Sequence, residues 1–342
     1  MNRTWLARLP KVELHNHLDG GLRIATVIEL ARESGYAGLP TSDPDELSKW
    51  FFRGGSGSLE RYLEGFEHTI AVLQTRPAIK RVAYEAGLDL HADGVVYAEI
   101  RFAPVLNTRR GLRREDAIEA ALLGFAEARA ETGIRINLIV DAMRNLPDSE
   151  RDARAAAAYA DSGVVGFDLA GPEAGYPPGA HRRACEYAAE HGLSITIHAG
   201  EADGPNSIAA ALDECGAMRI GHGIRITDDI AGATFGPVAT RVHRDRIPLE
   251  VCPTSNLHTL GISAAAHPLG ELFRAGFNVT LNTDNRLMSA VTLTDEFELA
   301  VRHHGFTEAD LHRVTRNAVA GAFVDGDTRR RLADLVDAAY AS

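Results

Sequence analysis

A parallel eight-stranded (β/α)8 barrel of the TIM type, with extra helices at its carboxyl end and a helical lid inserted after the first strand, is the fold this chain predicts. Strand-like runs recur eight times, at 12–17, 95–102, 134–140, 164–169, 193–198, 218–222, 247–251 and 277–283, most of them separated by helix-like stretches. Candidate chemical groups follow the first, fifth, sixth and eighth of these runs, and closing the sheet into a ring brings such distant strand ends together. A doubly wound open sheet shares the alternation but collects ligands at one switch point. The 342 residues, 45% of them hydrophobic, suffice for one barrel with insertions, and no long linker rich in Pro, Gly or Ser divides them. One domain over residues 1–342 is therefore expected.

Taken in order, the first run carries Glu13-Leu14-His15-Asn16-His17-Leu18-Asp19. Side chains two apart leave the same face of a strand, so His15 and His17 can present two imidazoles to one point. Alone, such a pair is better explained by packing or hydrogen bonding than by metal binding, and three later motifs change that reading. About sixty additional residues follow, with the glycine-rich 51–58 and then Leu59, Tyr62, Leu63, Phe66, Ile70 and Leu73 at helical spacing. They predict one amphipathic helix on the barrel rim, with a glycine-rich approach that suits a lid. Helices are expected at 23–33, 77–92, 114–132, 148–161, 180–191, 207–215 and 264–275.

The fifth run, Ile195-Thr196-Ile197, ends at His198 and turns through Gly200 to Glu201. In the sixth, Gly221 and Gly223 flank His222 and let backbone or ligand approach its ring. The eighth closes on Asp284. Beyond residue 292 the pattern is helical at 295–303, 308–323 and 327–340, segments expected to pack outside the barrel.

Three imidazoles and a carboxylate, His15, His17, His198 and Asp284, are the donor types of a single zinc ion that keeps room for a water. Zinc lowers the pKa of such a water to roughly 7. Glu201 then stands free to donate or shuttle a proton, and His222 is either a further ligand or a hydrogen-bond partner of the water. A formal net charge of −11 argues against nucleic acid or an anionic membrane surface and favours a neutral or cationic small molecule. Cys185, Cys215 and Cys252 are odd in number and widely spaced, which argues against a disulfide framework and a thiolate metal site. With no signal-peptide core at the N-terminus and no apolar run of spanning length, a cytoplasmic protein is expected. Nothing in the pattern specifies an oligomeric state.

Five segments read together, 10–20, His198-Ala199-Gly200-Glu201, Gly221-His222-Gly223, Cys252-Pro253-Thr254-Ser255-Asn256 and Asn282-Thr283-Asp284, resemble the ordered signature of adenosine deaminases in the amidohydrolase superfamily. The resemblance runs from residue 10 to about residue 320. It implies a zinc barrel that hydrolyses adenosine and 2′-deoxyadenosine to inosine and 2′-deoxyinosine with release of ammonia, a step of purine salvage. It also implies roles: His15, His17, His198 and Asp284 bind zinc, Glu201 protonates purine N1, His222 orients the attacking hydroxide, and Asp284 also accepts a proton from the water. Substrate would meet His17, Asp19 at the ribose 5′-hydroxyl, and the Gly171 backbone at purine N3.

The chain departs from the resemblance at Asn285, where many adenosine deaminases carry a second aspartate facing purine N7. That nitrogen only accepts, and an asparagine amide donates at any pH. The substitution keeps the donor and bears on the substrate rather than the metal chemistry. Relatives acting on adenine or on modified adenosines such as aminodeoxyfutalosine share nearly the same metal site, and Asp19 favours a free nucleoside. A catalytically silent nucleoside-binding protein is the reading from another class, which retention of Glu201 and every ligand disfavours. The H-x-E and P-C-x-x-C signature of the zinc cytidine deaminases is missing.

Overall fold

The computed structural model describes residues 1–341. Eight parallel strands follow one another around a single sheet: β1 (Lys11–His17), β2 (Val95–Phe102), β3 (Arg135–Met143), β4 (Val164–Ala170), β5 (Ser194–Ala199), β6 (Arg219–His222), β7 (Leu249–Val251) and β8 (Val279–Leu281). Strands covered on both faces need apolar or internally paired side chains throughout, and every residue of β1 is buried.

The ring closes between β8 and β1. His17 N–H donates to the Asp284 carbonyl at 2.7 Å and Asp284 N–H to the His15 carbonyl at 3.0 Å. Side chains extend this seam: Asn282 Oδ1 accepts from Leu14 N–H at 2.8 Å, and Glu13 Oε1 accepts from Thr283 N–H at 2.9 Å. Both carry the ladder where backbone pairing is irregular. One consequence is that the residues flanking Asp284 are fixed against the strand holding His15 and His17.

Helices clad the barrel. Arg76–Ala92 and Arg114–Thr132 pack tightly because Gly124 has no Cβ, which would stand 2.3 Å from the Lys80 carbonyl oxygen. At the carboxyl end, Leu293–His304 and Glu308–Gly321 each begin with a reciprocal Thr–Asp capping box, and Gly326–Tyr340 follows. Ala318, Val319 and Val336 from the last two cover Val12, Leu14 and Tyr97.

Two expectations need correction. The stripe at 59–73 is two short helices, Leu59–Leu63 and Phe66–Val72, parted at Gly65, where an added Cβ would meet Met288 Cγ at 3.0 Å. The stretch 264–275 breaks before Pro268 into a 3-10 turn and Leu269–Arg274, because His267 is extended, as the residue before a proline prefers. The segment after β6, which carries no assignment from sequence, contains a small hairpin, Ile230–Ala231 with Thr234–Phe235, and the helix Pro237–Arg244. Asn256 lies in a helix, Pro253–Leu260. Among the described residues no helix is long and apolar enough to cross a membrane.

Candidate active site

At the carboxyl ends of the strands, four donor atoms converge. His17 Nε2 lies 3.1 Å from His198 Nε2, while Asp284 Oδ1 stands 3.4 Å from His15 Nε2 and 3.3 Å from His17 Nε2. His15 Nε2 is buried without a hydrogen-bond partner. Gly221 makes room for this approach, since a Cβ there would sit 3.1 Å from His15 Cε1. Buried, mutually close nitrogen and oxygen donors of this kind fit a divalent metal ion.

Each imidazole is backed by a carboxylate on its other nitrogen. His15 Nδ1 pairs with Glu250 Oε2 at 2.9 Å, His198 Nδ1 with Asp168 Oδ2 at 2.9 Å, and His17 Nδ1 stands 3.4 Å from Asp141 Oδ2. All three Nε2 atoms are thereby left to face the common point. Burial opposes ionisation of Glu250, but Arg101 and Arg219 outweigh it and hold the carboxyl well below the usual range. Asp168 is likewise held down against burial by His198 and Arg101. For His17, burial works against the imidazolium, and Asp141, Asp284 and Asp19 together raise its pKa to about 9. A cation at the cluster therefore competes with a proton there.

Asp141, Asp168 and Glu250 carry no assignment from sequence. Their signal is a charged side chain inside an apolar strand, alternating with hydrophobic neighbours, which reads as a residue facing the barrel interior.

Asp284 and His222 both adopt a left-handed backbone, with φ of 61° and 62°. Non-glycine residues there cost roughly 1–2 kcal/mol, a strain found where the surroundings over-determine a functional conformation. For Asp284 those surroundings are the seam to β1 and Ser255 Oγ, which donates to Asp284 Oδ2 at 2.6 Å.

Glu201 Oε2 approaches His222 Nε2 at 3.5 Å, and Glu201 Oε1 is buried without a partner. Burial first, then the charges of Asp284 and Glu173, push its carboxyl well above the usual carboxylate range. The loop bearing it is held by Glu173, another residue that sequence reading passed over. Its carboxylate accepts from the backbone amides of Gly200, Glu201, Ala202 and Asp203 at 2.6–3.0 Å and from Ser207 Oγ at 2.6 Å. Burial, first by desolvation and then through His15, keeps His222 well below its ordinary pKa and so neutral.

A cavity of about 320 Å³ opens over this floor, lined by His17, Asp19, Gly171, Glu201, Asp284 and Asn285 below and by Leu59, Leu63 and Phe66 of the insertion above. Such dimensions and a mostly apolar wall with a few convergent polar groups suit a small ligand. Asp19 Oδ1 is buried and unpartnered, and burial with the nearby Asp141 raises its pKa to about 6 against the opposing pull of His17. Gly171 has φ of 94°, open to glycine. Asn285 packs over Gly20, where a Cβ would lie 2.0 Å from Asn285 Oδ1. The structure thus brings every sequence-predicted site residue except His15 to the wall of one cavity, and His15 joins His17, His198 and Asp284 in the donor cluster.

The profile of the family described as adenosine deaminase matches residues 10–339. The chain belongs to the adenosine deaminase family. Curated relatives include an adenosine deaminase of Mycobacterium ulcerans, 48% identical and covering 97% of this chain and 95% of its own. Adenosine deaminase 1 of Streptomyces coelicolor is 49% identical, covering 98% of this chain and 88% of its own. Among solved structures, an adenine deaminase from Arthrobacter aurescens superposes with a TM-score of 0.89 at 28% identity, over 98% of this chain and 100% of that one. An amidohydrolase from Burkhoderia ambifaria with bound Zn superposes with a TM-score of 0.85 at 27% identity, over 99% and 95%. The family is one of hydrolases acting on C–N bonds, and its barrel is the fold seen here.

Proposed function

We propose that this chain is a zinc-dependent deaminase of adenosine and 2′-deoxyadenosine, acting in purine salvage in the cytoplasm as one domain. The observation that carries the reading is the meeting of His15, His17, His198 and Asp284 at one point beneath a cavity that also receives Glu201. Donors 2.0–2.1 Å from a tetrahedral zinc would stand about 3.4 Å apart, close to the 3.1–3.4 Å separations of three donor pairs here, and all four donors lie within 4.8 Å of one another. When bound, zinc supplies the Lewis acidity that makes water a nucleophile at neutral pH.

The chain's own residues supply the rest. Glu201, kept protonated by burial and neighbouring negative charge, gives its proton to purine N1 as oxygen adds to C6, so that charge does not build up on the ring. Asp284 takes a proton from the attacking water and returns it to the leaving amine. His222 steadies the attacking oxygen. As the C6–N bond breaks and ammonia departs, the carbonyl forms and its proton restores Glu201. Asp19 holds the ribose 5′-hydroxyl, the Gly171 backbone faces N3, and Asn285 donates to N7. The relatives named adenosine deaminase, at 48–49% identity, favour the nucleoside over adenine.

An ultraviolet absorbance panel of adenosine, 2′-deoxyadenosine, adenine, 5′-methylthioadenosine and adenosine monophosphate tests the substrate. Adenosine should give the highest kcat/KM, and faster turnover of adenine would overturn the reading. Metal analysis should find close to one zinc per chain, lost together with activity in His17→Ala and Asp284→Ala.

A further inference from the structure

His222 is the one histidine of the site whose imidazole has two proton arrangements with opposite consequences. Only with a proton on Nε2 does it donate toward the cavity, where Glu201 Oε2 lies 3.5 Å away. With the proton on Nδ1 it would offer a lone pair there instead.

A chain of three hydrogen bonds leads from this ring into the protein, and its far end is unambiguous. Leu269 N–H, a backbone amide at the start of the Leu269–Arg274 helix, donates to His267 Nδ1 at 3.0 Å. An amide can only donate, so His267 Nδ1 carries no proton and its proton sits on Nε2. That Nε2–H meets Asn256 Oδ1 at 3.3 Å, which fixes which end of the amide is oxygen. The Asn256 Nδ2 group then donates to His222 Nδ1 at 3.2 Å. An accepting Nδ1 leaves the His222 proton on Nε2. All three side chains are buried, with exposures of 1% for His222, 0% for Asn256 and 3% for His267, so water does not compete for these bonds.

The geometry points to Asn256 and His267 as positioning residues that lock His222 in its Nε2–H tautomer, making it a hydrogen-bond donor to the reacting oxygen and not a metal ligand. This rests on the deaminase reading for the purpose of the lock, while the lock itself is a property of the resting protein. With Nδ1 engaged by Asn256 and Nε2 protonated, neither ring nitrogen has a lone pair for a metal. The choice between ligand and hydrogen-bond donor that spacing left open is made by a backbone amide three hydrogen bonds away.

Nitrogen-15 NMR of zinc-loaded protein labelled at histidine tests it directly, with the His222 resonances assigned by their loss in His222→Asn. Wild type should show a pyridine-like Nδ1 and a pyrrole-like, protonated Nε2. In Asn256→Asp the carboxylate can only accept, so Nδ1 should become protonated. Because a wrong tautomer of a catalytic imidazole costs up to about 10⁴ in turnover, kcat should fall by at least about 10²-fold at little-changed KM. His267→Phe should let the Asn256 amide turn over and also protonate Nδ1, whereas His267→Gln, which retains a donor, should keep wild-type resonances and most of the activity.

A protonated Nδ1 in wild type, or an unchanged Nδ1 in both Asn256→Asp and His267→Phe, would overturn the lock. Wild-type kcat alongside a protonated Nδ1 would overturn its part in turnover. A wild type with the expected resonances but no activity on adenosine would leave the lock standing and remove the substrate reading instead.

Discussion

Glu173→Gln offers a measurable test of how the loop bearing Glu201 is held. In the native protein Oε2 accepts from the amides of Glu201, Ala202 and Asp203, and Oε1 from the Gly200 amide and Ser207 Oγ. Glutamine retains one oxygen, which can still serve the three amides, but its NH2 then faces the Gly200 N–H. Ser207 escapes by rotating its hydroxyl to accept. The Gly200 amide has no such recourse and is left buried against another donor. Losing a hydrogen bond to a charged group is worth about 1.5–3 kcal/mol, and weakening the other three by removing the formal charge adds about 1 kcal/mol, so a destabilisation of about 3 kcal/mol is expected. At about 2.1 cal/mol/K per residue over a cooperatively unfolding chain of this length, that lowers Tm by about 4 °C. Because these amides set the backbone of Glu201, kcat should fall by at least about 10-fold while bound zinc is unchanged. Calorimetry at fixed zinc, steady-state kinetics and metal analysis together read the three quantities. Wild-type Tm and kcat in this variant would refute the view that Glu173 holds the loop.

Four further outcomes are expected. Glu201→Gln should bind zinc and substrate yet lose about 10²–10⁴ in kcat, and loss of metal instead would make Glu201 a ligand. Glu296, buried in the helix after Thr292 and pushed up to about 8 by burial, binds a proton more tightly folded than unfolded. Its contribution to stability is therefore present below its unfolded pKa and declines as pH rises toward 8, so Glu296→Gln should gain stability relative to wild type in denaturant titrations between about pH 5 and about pH 8. A pH-independent difference would remove that assignment. Asp19 faces the cavity with an unpartnered Oδ1, so a 5′-phosphate should be repelled and adenosine monophosphate should have a much lower kcat/KM than adenosine; equal values would count against a 5′-hydroxyl contact. If Asn285 donates to N7, 7-deazaadenosine should lose about 1–3 kcal/mol of binding, and Asn285→Asp should weaken toward alkaline pH more than wild type because an introduced carboxyl must be protonated to donate.

What the chain's residues determined alone was the barrel and which polar groups gather at one rim of it. Strand alternation follows from short β-branched runs, and polar residues that end such runs, His15, His17, His198, His222 and Asp284, must lie at one rim once the sheet closes. Those signals are local in sequence. Tertiary structure decided what lies behind them. The pairing of His15 with Glu250 and of His198 with Asp168 joins residues 235 and 30 positions apart, and nothing in either segment announces its partner. The same holds for Glu173, whose function is defined by amides it meets across a loop, and for Asn256, whose burial and hydrogen bonds to His222 and His267 exist only in the folded chain. The break at Gly65 has the same origin, since periodicity records which face is apolar but not that Met288 crowds the glycine. A side chain's chemistry is written in its own residue; the direction of its hydrogen bonds, its protonation and its strain are set by neighbours that only folding brings near.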